Sequence, residues 1–413
     1  MNVSDRLERR LSGTRLSVLR ELSQLASGLG IDLYLVGGSV RDVLANAPLT
    51  DVDIMASDNP ERLIESIRGR GDAKVQKASA FGTWSVTVRG VEMDVSTARR
   101  ETYERPGALP TAFPGTIEDD LARRDFSVNA MAISLSEDSW GDLLDPHDGV
   151  TDLSRGVIRV LHDRSFEDDA TRILRAIRYS YRLNFRLEPQ TEPLLERGLA
   201  FLSTISPDRV RHEIERIFRE PRAGDMIETA WKLGVLAAIH PGLRAEQKTL
   251  QAIQAEPGDN TRRDHLLLGS MVQSVAEGDM ESVVERLNLN SDWARLVRDV
   301  AAVRERLPEL EDENMARSRV YRLLQGLHPH AVESCTMAAT DAKVVEWVRV
   351  YLDELQHVSP RLDGNDLMAL GVREGPAVGL VLTKLLDARL DGLVVSLEDE
   401  ENFVRRALSD RAD

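Results

Sequence analysis

The sequence predicts an α+β protein: a mixed-sheet α/β head over roughly the first 155 residues, then helices to the end. Two observations carry this. Up to about residue 155, short apolar runs of period two alternate with short helical runs. Beyond Arg164 the apolar residues recur only at helical spacing, and Pro or Gly marks the short breaks between runs.

Taken in order, Leu16, Leu19, Leu22, Leu25 and Ala26 place an amphipathic helix over 15–29. Leu33 to Val36 is a compact strand that ends at the Gly37-Gly38 turn, and Val40 to Leu44 is a short helix. Asp51 to Met55 alternates as a strand, and Pro60 to Arg68 is a helix with proline in its first turn. Strands follow at Lys74–Val75, Trp84–Val88 and Val91–Val95, the last two joined by a turn at Arg89-Gly90. Residues 102–116, rich in Pro and Gly, read as a mobile loop, and Val128 to Ile133 as a last strand or helix segment. Phe166 to Arg182 is then a strong helix, with further helices at Val210–Phe218, Met226–Ile239, Ala294–Leu307 and Ala377–Leu390.

The 413 residues carry 42% hydrophobic and 30% charged side chains, an ordinary globular composition with ample core. No apolar run is long enough to span a bilayer, and Met1 to Arg20 is too charged for a signal sequence, so a cytoplasmic location is expected. Cys335 is the single cysteine, which excludes an intramolecular disulfide and a cysteine-based zinc site. The formal net charge of −16 argues weakly against a polyanionic partner. A local cationic cleft overrides it, because distant charge is screened beyond ~10 Å.

Four clusters carry chemistry. In a strand, Asp51 and Asp53 project to one side while Val52 and Ile54 point to the core. Paired carboxylates repel unless cations neutralise them, and Mg²⁺ accepts carboxylate and phosphate oxygens together. Asp94, alternating with Val91, Met93 and Val95, becomes a third catalytic carboxylate if its strand pairs with the first. Upstream, Gly37 and Gly38 let backbone N–H groups approach a phosphate; Ser39 adds a hydroxyl at a helix start and Arg41 a cation. Arg124, Asp125 and Asn129 form a third group, suited to phosphate and the ribose hydroxyl. The last is Asp169, Arg172, Arg175 and Arg178, stepping by three along the predicted helix. A carboxylate accepts from an exocyclic amine while a guanidinium donates to the adjacent ring nitrogen. Such a pair admits cytosine and adenine and rejects guanine and uracil. Each cluster alone has a plain structural explanation: a solvated turn, a capped helix start, a charge cluster or a surface ion pair worth ~0.2–0.5 kcal/mol.

Together the stretches LVGGSVRD, DVDI, RRDFSVNAMA, LLDPHDGVTDL and DDATRILRAIRYSYRLNF resemble the class II CCA-adding enzymes (tRNA nucleotidyltransferases) and the bacterial poly(A) polymerases, over roughly residues 32–186. The resemblance implies a polymerase-β-like nucleotidyltransferase head at 1–155, a base-recognising neck at 156–225, a helical body at 226–330 and a tail at 331–413. It implies Mg²⁺ on Asp51 and Asp53, with CTP and ATP as substrates and tRNA as partner. Gly38, Arg41, Arg124, Asp169, Arg172, Arg175 and Arg178 would bind the nucleotide. ETYERPGALP falls where the family keeps a flexible loop that helps the switch from C to A addition. Asp168 departs from the usual Glu, and the loop lacks a long basic/acidic signature. His265 follows Asp264 rather than preceding it, so no appended phosphohydrolase activity is expected. The expected reaction is addition of C and A to the tRNA 3′ end. CC-adding, A-adding and poly(A)-polymerising enzymes share the head and stand as alternatives, as does a catalytically dead RNA-binding module.

Overall fold

The computed structural model describes residues 1–11, 13–77, 82–255, 259–312, 314–339 and 341–409. The chain divides into two compact units: Met1–Glu213 with Leu233–Ala238, and Ile214–Lys232 with Ile239–Asp413. Residues 156–213 therefore pack with the head rather than apart from it. No helix among the described residues is long and apolar enough to cross a membrane.

The first unit is built on a seven-stranded mixed sheet. Its strands are β1 (Leu33–Val36), β2 (Asp53–Ala56), β3 (Ala73–Lys77), β4 (Trp84–Val88), β5 (Val91–Thr97), β8 (Ala132–Ser134) and β9 (Leu143–Leu144), in the order β3-β4-β5-β2-β1-β8-β9. Only β2 and β5 run parallel, with Asp53 opposite Asp94 and Ile54 opposite Val95. Period-two alternation sorts the side chains. Leu33, Leu35, Val52, Ile54, Ala56, Met93 and Val95 enter the main core beneath the helix Thr14–Ser27. Val36, Met55 and Ala132 face the other way and pack with Ile117 and Leu121 of the helix Ile117–Ala122. Asp53 shares the face of Met55, two residues on.

Three elements differ from the sequence expectation. β2 begins at Asp53, not Asp51, because the Asp51 carbonyl is taken by the Ser39 hydroxyl at 3.0 Å instead of by the sheet. The Pro/Gly-rich stretch is not all loop. β6 (Arg99–Thr102) and β7 (Thr111–Pro114) pair antiparallel, closing a hairpin in which the prolines sit at the turn and at the strand end. The helix expected over 166–182 is two helices, Ser165–Asp168 and Thr171–Leu183, interrupted by extended Asp169 (φ −145°, ψ 95°). The Asp169 carboxylate explains the break: Oδ1 accepts from the Thr171 amide at 3.0 Å and its hydroxyl at 2.6 Å.

In the second unit the regular elements among the described residues are all helices. The helices Asn260–Val272, Ser291–Arg306 and Pro329–Ala338 pack on one another at its centre.

Candidate active site

Gly37 starts the site. It ends β1 with φ +70°, a conformation that favours glycine, and a Cβ there would lie 2.5 Å from Nη1 of Arg124. It also serves as N-cap of the helix Gly38–Leu44. Ser39 lies buried inside that first turn, and both roles of its hydroxyl are used. It donates to the Asp51 carbonyl at 3.0 Å and accepts from the Asp53 amide at 3.1 Å. Ser39 is thus a brace for the aspartate segment. Arg41 is buried too. Its Nε and Nη2 donate to Asp42 at 3.0 and 2.8 Å, and Nη1 donates to Asn129 at 2.6 Å.

The three carboxylates are the least partnered part of the site. Asp51 and Asp94 are exposed and Asp53 half-buried. Burial raises the Asp53 carboxyl above its ordinary value; Arg124 opposes this, and Asp94 and Asp51 add to it. Among the described residues the three do not gather their oxygens within 4.8 Å of one another. The arrangement is one that a cation would draw together.

Arginines form the opposite pattern. Asp120, fully buried on the helix Ile117–Ala122, binds Nε of Arg123 at 2.8 Å and Nε and Nη2 of Arg124 at 3.2 and 3.0 Å. Asp125 accepts from Nε of Arg175 at 2.9 Å, from Asn129 at 3.0 Å and from the Phe126 amide at 2.9 Å. Burial pushes its carboxyl up, but Arg175 and Asn129 outweigh that and hold it below the usual carboxylate range. Arg172 is fixed by two carbonyls, Ser165 at 3.3 Å and Arg123 at 2.7 Å. Asp169 is clamped through Oδ1, where Arg209 binds at 2.7 Å and Thr171 donates twice.

These groups meet in one polar cavity of about 430 Å³, which fits a nucleotide. It is lined by Gly38, Asp53, Arg124, Asp125, Asn129, Asp169, Arg172 and Arg175 of the predicted set. Gly37, Ser39, Arg41, Asp51, Asp94 and Arg178 do not line it. Arg178 turns instead to Glu213 at 3.7 Å and to the Tyr179 ring at 4.9 Å. Sequence reasoning missed several lining residues: Glu101, Tyr103 and Pro110 from the β6–β7 hairpin, and Tyr179. Arg209 also lines the cavity. The Tyr103 hydroxyl donates to Glu101 at 3.2 Å and is pushed up to about 12, by burial first, with Arg172 opposing and Glu101 and Asp169 adding. Asp120 was the other omission, although its spacing to Arg123 and Arg124 at i+3 and i+4 is a readable signal. The lining holds five arginines, Arg123, Arg124, Arg172, Arg175 and Arg209, against four carboxylates, Asp53, Glu101, Asp125 and Asp169. A locally cationic cavity therefore sits on a chain of net charge −16.

A mixed sheet with carboxylates at a strand start, facing an arginine-lined cavity of nucleotide size, defines a nucleotidyltransferase type of site. Residues 33–159 match the poly A polymerase head domain, and 184–255 match a probable RNA and SrmB-binding site of polymerase A. An A-adding tRNA nucleotidyltransferase of Geobacter sulfurreducens is 31% identical over 98% of this chain, which spans about half (48%) of that protein's length. One from Halalkalibacterium halodurans is 30% identical, with 98% of this chain and 95% of that protein covered. A CC-adding tRNA nucleotidyltransferase of Deinococcus radiodurans is 32% identical over 94% of this chain and 93% of its own. Among solved structures, a CCA-adding enzyme in its apo form II superposes with TM-score 0.86 at 29% identity over 99% of both chains. A Thermotoga maritima CCA-adding enzyme complexed with tRNA superposes with TM-score 0.79 at 28% identity over 99% of both. The chain belongs to the class II tRNA nucleotidyltransferase and poly(A) polymerase family.

Proposed function

We propose that this protein extends the 3′ end of tRNA with C and A nucleotides, taking CTP and ATP and releasing pyrophosphate. The single observation that carries the reading is the cavity lined by both Asp53 and the Asp169–Arg172 pair. Its size and cationic lining suit a triphosphate. Mg²⁺ is the metal proposed, held by Asp51 and Asp53 with Asp94 beside them. These hard oxygen donors at an under-neutralised site suit it. Bound there, it would neutralise charge on the triphosphate and raise the acidity of the primer hydroxyl.

The chain's own residues do the rest. Ser39 fixes the aspartate segment through two hydrogen bonds. Arg124, held by Asp120 and facing Asp53, is placed to take phosphate charge. Asp169, in the cavity lining, would accept from an exocyclic amine, and the guanidinium of Arg172, anchored by two carbonyls, is pre-set to donate to a ring nitrogen. That combination suits cytosine and adenine. A wrong base leaves a buried polar group unpaired, at ~1–3 kcal/mol.

A-only addition is the second reading, favoured by the two A-adding relatives that match 98% of the chain. The test uses purified protein with tRNA transcripts ending before, within and after the first two C positions, supplied with CTP, ATP or both. C and A addition requires extension of the shortest transcript by three nucleotides with both triphosphates. Extension of only the transcript ending in CC, with ATP alone, establishes the A-adding reading. Runs of A on unrelated RNA would point to a poly(A) polymerase. No incorporation on any transcript would leave the RNA-binding alternative.

A further inference from the structure

Far along the chain from the nucleotide cavity, three of the eight histidines come together. His265 lies on the helix Asn260–Val272, and His328 and His330 flank Pro329 at the start of the helix Pro329–Ala338. Among the described residues, theirs is the one group of three or more metal-ligating side chains whose donor atoms lie within 4.8 Å of one another. Ring centroids stand 4.9, 5.2 and 5.4 Å apart. A tetrahedral site with metal–nitrogen bonds of ~2.0–2.1 Å sets ligand nitrogens roughly 3.3 Å apart, so the rings need only a small contraction.

A carboxylate stands against two of the three. Asp292, on the third helix of the packed group, faces Nε2 of His265 at 2.6 Å with Oδ2 and Nε2 of His328 at 3.4 Å with Oδ1. It is mostly exposed, so the cluster opens to solvent on that side. His265 is also held from behind, its Nδ1 pointing at the Thr261 carbonyl at 2.6 Å. A backbone carbonyl on the far nitrogen is the usual way a ligating imidazole is oriented. His330 supplies the independent sign. Its Nδ1 is buried and, among the described residues, has no hydrogen-bond partner. Buried ring nitrogens are normally satisfied, and an orphaned one beside two other imidazoles has a physical reason if it holds an ion.

The geometry points to a transition-metal site, His265–His328–His330 with Asp292 as fourth ligand, that staples three helices of the second unit. Imidazole donors with one carboxylate suit Zn²⁺ and disfavour Mg²⁺. The ion replaces the N–H contacts that now join His265 and His328 to Asp292. One contact is given up: the His330 amide loses its 3.2 Å bond to Nδ1 of His328, which must carry the proton when Nε2 ligates. Uptake therefore trades one long cap for four coordinate bonds.

The test uses the untagged full-length protein, stripped with chelator and dialysed, then titrated with Co²⁺ and Zn²⁺. The site requires an intense visible absorption of tetrahedral cobalt that saturates at one equivalent per chain and is displaced by Zn²⁺. One equivalent of Zn²⁺ should also raise the thermal midpoint by several degrees. His330→Gln should weaken cobalt binding at least ten-fold, and Asp292→Asn should weaken it less. Asp53→Ala should leave the tetrahedral band intact, which separates this site from the carboxylates of the nucleotide cavity. His330→Gln sits at a helix start and is checked for native circular dichroism before titration. If that variant does not fold, His330→Asn and Asp292→Asn carry the same test. A wild-type titration without the tetrahedral band overturns the proposal, and so does a band that survives His330 substitution or vanishes with Asp53→Ala.

Discussion

The two sides of the nucleotide cavity are held in opposite ways. On one side, Asp53 is half-buried with two further carboxylates near it and a single arginine, Arg124, opposing them. On the other, Asp125 accepts from Arg175 and Asn129, Arg172 is held by the Ser165 and Arg123 carbonyls, and Asp125 and Asp169 each have a guanidinium. One side is electrostatically incomplete and the other is pre-organised. The difference teaches where each property is needed. A cation that comes and goes with substrate requires charge left unneutralised, whereas a base-reading surface must be rigid before the base arrives.

Removing a carboxylate from the incomplete side should therefore abolish activity without harming the fold. Asp53→Ala is expected to lower nucleotide incorporation by about 10³-fold or more, since the loss is of several kcal/mol of transition-state stabilisation. Asp53→Asn should give the same loss while the metal-free thermal midpoint stays level or rises. The sign follows from its raised carboxyl. The ionised form is disfavoured in the fold, so ionisation costs stability as pH rises above the ordinary carboxylate value. For the same reason, apparent Mg²⁺ affinity should fall on acidification sooner than for an ordinary aspartate. Incorporation that survives Asp53→Ala would remove the metal-holding role from this side.

Breaking the organised side should do the reverse. Arg175→Ala leaves Asp125 buried without its main cation, and loss of one partner of a buried pair costs about 3–5 kcal/mol. The check is urea denaturation, read as a lower midpoint. Because the Asp125 carboxyl is held below its usual range, its contribution is present above the ordinary carboxylate value. It is lost as pH falls through the depressed one, so the wild-type advantage over Arg175→Ala should shrink only in strong acid. A variant as stable as wild type would show that this side is not held by its ion pairs.

How much of this was readable beforehand follows the same division. The carboxylate side is local: Asp51-Val52-Asp53-Ile54 alternates, and Asp94 sits in a second alternating run, so both the face and the β2–β5 pairing at Asp53–Asp94 could be anticipated. The organised side is assembled from distant parts of the chain. Arg172 is fixed by the Arg123 carbonyl 49 residues away, and Arg175 by Asp125 across 50. Its residue types could be picked out from sequence, but not their partners. The break at Asp169 was missed because helical periodicity runs straight through it; only the local carboxylate-to-Thr171 bonds reveal it. The β6–β7 hairpin was missed because its composition, Pro and Gly, signals turns more strongly than the short strands around them.

The Asp169–Arg172 pair proposed to read the base is expected to show a smaller effect, in selectivity rather than rate. Asp169→Asn turns one acceptor oxygen into an amide and also removes the charge that holds Arg209. Discrimination of C and A against G and U should fall by roughly 10–100-fold, equivalent to ~1–3 kcal/mol. Competition between triphosphates on one transcript measures it. Unchanged selectivity would shift the reading to Arg172 and the hairpin residues Glu101 and Tyr103.

The smallest effect tests how the two sides are joined. Ser39 belongs to the glycine turn yet acts on the aspartates, bridging the Asp51 carbonyl and the Asp53 amide. Ser39→Ala removes both bonds and leaves the Asp53 amide without that partner, at a cost of about 1–2 kcal/mol. The loss should fall on positioning. Half-saturating Mg²⁺ should rise several-fold, and the rate at saturating Mg²⁺ should recover most of its wild-type value, because a bound cation supplies the constraint the hydroxyl no longer does. Ser39→Thr, which keeps the hydroxyl in a buried position, should restore Mg²⁺ affinity to the extent that its added methyl is accommodated. A rate that stays low at saturating Mg²⁺ would mean that Ser39 serves the nucleotide itself, and the turn would then join the cavity rather than brace its edge.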